Sequence, residues 1–219
     1  MKKANIRKAK MDDLQAVVRL DHEVWPEEVW ASEDMYRTRF ATYLDGTFVA
    51  ISDKKVVGIV VTQRMDYNIV APIPTWAEAT DNGFMKNSHN PNGGDLYGIA
   101  LTVHQKAPRN TGALLLEAVR IFIIANNFRQ IFIGSRVPLY YKHEDQFSIE
   151  EYVHAKNNHG RYLDPELELY ISRADLKFIK ALPDYFEDPS SLNYGVLLVW
   201  QNPFYGKVFT RHWKNLVKI

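Results

Sequence analysis

The sequence predicts an α/β fold of the α+β kind: a mixed, mostly antiparallel sheet of about six or seven strands flanked by helices. Three observations point there. Asp95 to Arg136 reads as strand, polar loop, apolar helix and strand, and a strand–helix–strand crossover within one sheet is right-handed with its two strands parallel. The β-branched runs Thr47–Ile51 and Val56–Met65 are joined by Ser52-Asp-Lys-Lys55, a short polar link that predicts an antiparallel hairpin. Two further strand-like runs, Leu176–Leu182 and Tyr194–Trp200, come late and widen the sheet beyond its parallel pair.

The other elements follow in order. Asn5 to Ala9 is a first strand. Asp12 or Asp13 can cap a helix whose apolar face is Leu14, Val17, Val18 and Leu20. Ser32 caps a second helix, with Glu33 and Asp34 in its first turn and Tyr36, Phe40, Tyr43 and Leu44 inward. From Asp66 to Gly94 the periodicity fails, broken by Pro72, Pro74, Pro91, Gly83, Gly93 and Gly94. Trp76, Phe84 and Met85 make this a structured loop, either a packed surface excursion or a functional one. The helix from Thr111 to Asn126 is apolar almost all round (Leu114, Leu115, Ala118, Val119, Phe122, Ile123), the mark of a buried helix. Gln130–Gly134 is a short apolar strand without alternation, as a buried parallel partner should be. Ser148 caps a helix Ile149–Lys156, and Asp164-Pro165 opens one running to about Ser172. Arg211 to Lys218, with Trp213 and Leu216, reads as a short amphipathic helix. One domain over residues 1–219 is expected, with a long loop at 66–94 and a tail at 203–219.

Composition excludes several classes. Net charge is +1, from 27 basic and 26 acidic residues, so no field recruits nucleic acid or an anionic membrane. Without cysteine there is no disulfide framework, thiolate metal site or cysteine nucleophile. The 7 histidines show no His-x-x-x-His or Glu-paired spacing, so a metal site is not expected. No apolar run approaches the ~18 residues of a membrane span, and Met1-Lys-Lys-Ala-Asn-Ile-Arg7 leads straight into a strand rather than an apolar signal region. A cytoplasmic protein is the expectation.

The loop between the Asp95 strand and the Thr111 helix carries Lys106, Arg109 and Gly112. The first turn of a helix leaves N–H groups unpaired at the positive end of the dipole, so such a loop can hold phosphates. This order and spacing resemble the acyl-CoA-binding core of the GCN5-related N-acetyltransferases. That family's motif is Arg/Gln-x-x-Gly-x-Gly/Ala, whose amides wrap the coenzyme A pyrophosphate. Read from Arg109, this chain gives Arg109-Asn-Thr-Gly112-Ala-Leu114, without the final small residue. Read with Gly112 last, it gives Ala107-Pro-Arg-Asn110-Thr-Gly112, with Asn110 at the first glycine. The second register is preferred, since it sets Leu115-Leu116 where the family has a Leu-Leu pair. Asn also tolerates the left-handed conformation. Ile6-Arg-Lys-Ala9 with Asp12-Asp-Leu14, Val56-Val-Gly58-Ile-Val60, and Asp164-Pro-Glu-Leu-Glu-Leu-Tyr170 extend the resemblance over nearly the whole chain. Ser135-Arg-Val-Pro138, Ile149-Glu-Glu-Tyr152, Pro183-Asp-Tyr185 and Asp188-Pro-Ser-Ser191 are similar to a subgroup found alone or fused to carbon–nitrogen hydrolase domains.

The resemblance implies a sheet whose fourth and fifth strands splay apart at the Thr111 helix. It implies acetyl-CoA as cosubstrate, with Arg109, Asn110, Thr111, Gly112 and Ala113 on the pyrophosphate. The backbone of Leu101 and Val103 would meet the pantetheine arm and thioester. Tyr170 is the candidate acid for the leaving thiolate, against the plainer role of a core tyrosine. For the base, Asp95 and Tyr97 stand at the start of the fourth strand, with Glu23, Glu28 and His104 as further candidates. His104 could instead be a solvated loop residue. Trp25, Trp30 and Trp76 could line an acceptor pocket, and Glu23, Glu27 and Glu28 would suit a cationic amine. Two functions follow: direct transfer of an acetyl group to the amine of a small molecule, or a non-catalytic acyl-CoA-binding module kept beside a partner enzyme. A homodimer is compatible with both.

Overall fold

The sheet has seven strands in the order β1-β2-β3-β4-β5-β7-β6. They are β1 (Asn5–Lys8), β2 (Thr47–Ser52), β3 (Lys55–Met65), β4 (Asp95–Val103), β5 (Gln130–Arg136), β6 (Lys177–Leu182) and β7 (Gly195–Gln201). Every neighbouring pair is antiparallel except β4 and β5. The computed structural model of the chain describes residues 3–27, 29–68 and 75–207. Glu28 and the basic end Arg211–Lys218 lie outside the described residues.

Each face of the sheet carries its own core. On one side α4 (Thr111–Asn126) lays Leu115, Val119, Phe122 and Ile123 on Leu96, Ile131, Ile133, Val196 and Leu198. On the other, α1 (Leu14–Val24) and α2 (Glu33–Tyr43) lay Val17, Leu20, Tyr36 and Phe40 on Val49, Ile59, Val61, Tyr97, Phe132 and Leu197. Alternate residues of β4 and β5 thus serve opposite cores, which is why neither strand shows a polar face. Burying each such aliphatic side chain contributes roughly 1.5–3 kcal/mol. The predicted hairpin is present, with Asp53 and Lys54 both left-handed at its turn.

The local rules fail at five places. Asp13 does not cap α1 with its side chain; its carboxylate takes Arg7 at 2.7 Å and the Lys10 N–H at 2.8 Å instead. Leu114, on the outward side of an otherwise buried helix, is exposed. The loop after β3 contains a helix, α3 (Trp76–Thr80), started by Thr75 and Glu78 in a reciprocal cap. Ser148 caps as expected, yet α5 stops at Tyr152 rather than Lys156, which turns to bridge Tyr162. The helix at Asp164 keeps α geometry only over α6 (Pro165–Leu167) and continues as a π-helix, Glu168–Arg173. π geometry in so short a helix is frequent at functional sites.

Gly134 of β5 and Gly195 of β7 form a bed for the Tyr185 ring: a Cβ on either would stand 2.4 Å or 2.5 Å from it. Gly134→Ala is expected to lower stability by about 1–3 kcal/mol through overpacking. Urea unfolding of the variant checks this, and an unchanged midpoint would show that the ring can move aside.

Candidate active site

β4 pairs with β3 along its whole length but with β5 only at Leu96–Gly98, opposite Ile131–Ile133. From Ile99 on, β5 pairs only with β7, so β4 has a vacated edge. The β3–β4 register steps from Val61↔Ala100 to Thr62↔Gly98, leaving Ile99 as a bulge that bends the strand away. The His104 N–H donates to the Val57 carbonyl at 2.9 Å. Antiparallel alternation then turns the N–H groups of Leu101 and Val103 away from β3, into the opening. Two indoles converge on the same stretch. Trp76 Nε1 donates to the Ile99 carbonyl at 3.2 Å, and Trp25 Nε1 to Thr102 Oγ1 at 2.9 Å. Thr102 in turn donates to the buried Asp21, which also accepts from Tyr36 Oη and the Ala31 N–H.

The opening leads to the α4 N-terminus. Asn110 holds φ 67° and ψ 10°, the left-handed conformation that suits the register with Asn110 at the first glycine position. The first regular helical bond is Leu114 N–H to the Asn110 carbonyl, with Thr111 bonded to Pro108. The amides of Arg109, Asn110, Gly112 and Ala113 have no acceptor among the described residues. Four free donors at the positive end of a 16-residue helix are an arrangement that can hold an anion. Gly112 is also a packing residue, since a Cβ there would lie 3.3 Å from Leu169 of the π-helix. Arg173 from the same π-helix donates to Asn110 Oδ1 at 3.0 Å.

That π-helix carries Tyr170, which is buried and forms no side-chain hydrogen bond among the described residues. Burial, then the nearby Glu166 carboxylate, pushes its phenol well above its ordinary range. Across the opening, Arg136 ends β5 with its guanidinium 5.4 Å from the Trp25 ring centre. Its Nε donates to Asp188 at 2.7 Å. Burial works against ionising Asp188, but hydrogen bonds from Arg136, Ser190 and Ser191 hold its carboxyl down to about 2.

Of the residues picked out in the sequence, the structure gathers Leu101, Val103, Arg109, Asn110, Thr111, Gly112, Ala113 and Tyr170 around one opening, with Trp25 and Trp76. It sets others apart. Asp95 is buried four residues before the bulge, ~13 Å along the strand. Its oxygens take Arg129 at 2.9 Å and 3.0 Å and the Tyr67 N–H at 3.0 Å. It anchors the start of the parallel pair, away from the opening. Tyr97 faces the opposite core from Tyr170, stacked on Tyr67 with its hydroxyl buried and unpartnered among the described residues; burial holds the phenol neutral. His104 Nε2 lies 3.5 Å from exposed Glu23, and its Nδ1 accepts the Lys106 N–H, so it braces the loop. Trp30 stacks on His22, outside the opening. Glu27 is exposed. Arg136 and Glu166 escaped sequence reading, though Glu166 stands four residues before Tyr170, a spacing that shares a helix face. Among the described residues no group of three or more His, Asp or Glu side chains could hold a metal, and no helix is long and apolar enough to cross a membrane.

Asp95→Asn is expected to lower stability by about 1–3 kcal/mol, since Arg129 is partly solvated and softens the loss. Acyl-transfer turnover per folded molecule should be unchanged; a selective loss of kcat would return Asp95 to the chemistry.

No protein-family model matches the chain. It is 31% identical over 207 residues to the uncharacterized N-acetyltransferase YkwB of Bacillus subtilis (strain 168), covering 92% of this chain and 90% of that protein. It is 29% identical over 207 residues to the probable hydrolase YhcX of the same organism, covering 93% of this chain but 40% of that protein. Among solved structures, the GNAT-like decarboxylase GphF in complex with isobutyryl-CoA superposes with a TM-score of 0.74 at 24% identity, covering 90% of this chain and 99% of that one. The seven-stranded sheet with its single parallel pair is the fold of that neighbour. With the likeness to YkwB over nearly both full lengths, the chain belongs to the GCN5-related N-acetyltransferase superfamily.

Proposed function

We propose that the chain transfers an acetyl group from coenzyme A directly to the amine of a small molecule. The observation that carries this reading is the line of unpaired donors, from the β4 edge at Leu101 and Val103 to the amides of Arg109, Asn110, Gly112 and Ala113. The pyrophosphate fits the α4 end, where four N–H groups and the helix dipole meet. The pantetheine arm would lie along β4 as a substitute strand, its amides paired with the vacated edge. The thioester then falls near the Ile99 bulge, between Trp25 and Trp76 on one side and Tyr170 on the other. Holding an amine against that carbonyl supplies up to ~7–11 kcal/mol from orientation alone. Backbone donors stabilise the oxyanion, and Tyr170 delivers a proton to the departing sulfur. GphF's bound isobutyryl-CoA is in keeping with an acyl-CoA ligand.

A second reading is motivated by Arg136, whose Nη1 makes no hydrogen bond among the described residues. A guanidinium at the opening could hold a carboxylate on the acyl group, and GphF is described as a decarboxylase. Carbon dioxide release from a CoA thioester bearing a terminal carboxylate, abolished in Arg136→Ala, would favour it.

Calorimetry with acetyl-CoA followed by thiol release across an amine library tests the first reading. Binding and amine-dependent release are expected; binding without release from any amine would leave an acyl-CoA-binding module. Asn110→Gly should bind acetyl-CoA as the wild type does. Asn110→Val forces a β-branched residue into the left-handed region at a cost of ~1–2 kcal/mol, and should bind about tenfold more weakly. Equal affinities would remove the loop from the cofactor site.

Tyr170→Phe keeps the ring packing and removes only the hydroxyl. Turnover should fall ~10²–10⁴-fold, with acetyl-CoA affinity and thermal midpoint unchanged. Full activity would make Tyr170 a packing residue.

A further inference from the structure

Tyr185 is buried, and its hydroxyl has no hydrogen-bond partner among the described residues. The two-glycine bed fixes where that hydroxyl points. A Cβ on Gly195 of β7 would meet the near end of the ring, Cδ1 at 2.5 Å and Cγ at 3.0 Å. One on Gly134 of β5 would meet the far end, Cε1 at 2.4 Å and Oη at 2.5 Å. The ring therefore runs from β7 across β5, and its hydroxyl leads towards β4. The last β4–β5 pair is Gly98↔Ile133, so Gly134 stands one step beyond it, level with the Ile99 bulge where the strands part. Trp76 ties the same points together: its backbone N–H donates to the Tyr185 carbonyl at 3.0 Å, and its indole to the Ile99 carbonyl at 3.2 Å. Tyr67 and Tyr97 also bury unpartnered hydroxyls, but they sit at Phe132, where β4 and β5 are still paired. Arg136 lies two residues beyond Gly134, on the same face of β5. Asp188 holds its Nε at 2.7 Å and Ser190 its Nη2 at 3.2 Å, which leaves Nη1 unspent among the described residues. This face is the one under α1 and α2. Tyr185 belongs to their core and Arg136 stands against Trp25 at the end of α1, whereas Tyr170 belongs to the core under α4. A coenzyme seated on the α4 amides thus leaves the α1 side of the opening to a second substrate.

We propose that Arg136 and Tyr185 hold a carboxylate on the acceptor, so that the amine acetylated is that of a small aminocarboxylate, an amino acid being the simplest; this rests on the acyl-transfer reading above. A buried hydroxyl without a partner lowers stability, and one kept bare beside the place given to the thioester calls for a ligand oxygen. The guanidinium offers only donors and the phenol adds another, a pairing that suits an anion with nothing but acceptors. Asp188 serves as the anchor. Its oxygens are already filled by Arg136 Nε, Ser191 Oγ, and the N–H and hydroxyl of Ser190, so it holds one edge of the guanidinium and leaves the rest exposed to the opening. The root of Arg136 lies about 7 Å along β5 from that of Gly134. A carboxylate held between the two puts the amine of a short aminocarboxylate within reach of a thioester at the Ile99 bulge. The amine nitrogen bonds to the thioester carbon, the C–S bond breaks, and the amine's proton ends on sulfur. The products are an N-acetylated amino acid and coenzyme A.

The test uses the full chain, acetyl-CoA and amines in matched pairs: α-, β- and γ-amino acids, each beside its own carboxamide. Thiol release is compared per unprotonated amine, because the carboxylate also changes amine basicity. Amino acids of at least one spacing should lead their carboxamides by about ten- to a hundredfold in kcat/KM, the ordinary worth of hydrogen bonds to a charged group. Arg136→Lys keeps a cation for Asp188 but loses the planar fork. It and Tyr185→Phe should each cut that ratio by about tenfold, mainly through KM for the amino acid, with acetyl-CoA affinity by calorimetry unchanged. Tyr185→Phe removes a hydroxyl that has no partner, so its thermal midpoint should be no lower than that of the wild type, which separates a lost ratio from a lost fold. A ratio near one in the wild type, or one that survives either substitution, overturns the carboxylate site and leaves acetyl transfer to amines standing. Wild-type protein that binds acetyl-CoA and releases no thiol with any amine overturns the acyl-transfer reading and this proposal with it.

Discussion

The incompatibility between β4's two neighbours organises this molecule. β3 claims β4 over its full length, whereas β5, paired with β7 along the whole of its other edge, shares only three residues with β4. The bulge at Ile99 makes both possible by bending β4 where the partnership ends. A backbone edge left bare inside a protein is costly, because each buried N–H needs an acceptor. Trp76 satisfies one such group, the Ile99 carbonyl, and the donors beyond it remain for a ligand. The crossover helix α4 starts at the same place, so the free amides of its first turn extend the line of donors.

Around this opening the polar side chains divide by how fully they are satisfied. Asp21 accepts three hydrogen bonds and thereby fixes Thr102, Tyr36 and, through Thr102, Trp25. Asp188 is gripped by Arg136, Ser190 and Ser191, which sets the position of the guanidinium. These saturated networks rigidify the walls, as buried polar clusters do when every member is paired. Tyr170 is the contrast: a buried side chain with no hydrogen bond among the described residues, in a segment whose π geometry departs from the regular helix.

The architecture was legible because its determinants are local. Ser32 and Ser148 cap their helices, Asp53 and Lys54 make the turn, and the apolar periodicity of Thr111–Asn126 marks a buried crossover helix whose neighbours must run parallel. Asn110 was placed at a glycine position by the resemblance to the family's motif, a place its tolerance of the left-handed region allows. Local rules reached no further than the stretch they describe: the helix at Ile149 stopped early once its chain had to bridge to Tyr162.

By itself, then, the sequence determined the strand order's central unit, the position of the glycine-poor loop and the presence of Tyr170 after it. Only the tertiary structure decided which charged residues are chemically free. Asp95 reads as a candidate base until Arg129, 34 residues away, is seen to occupy it. Reactivity of a carboxylate is set by burial and by the charges within a few ångströms, and those neighbours come from elements distant in the chain.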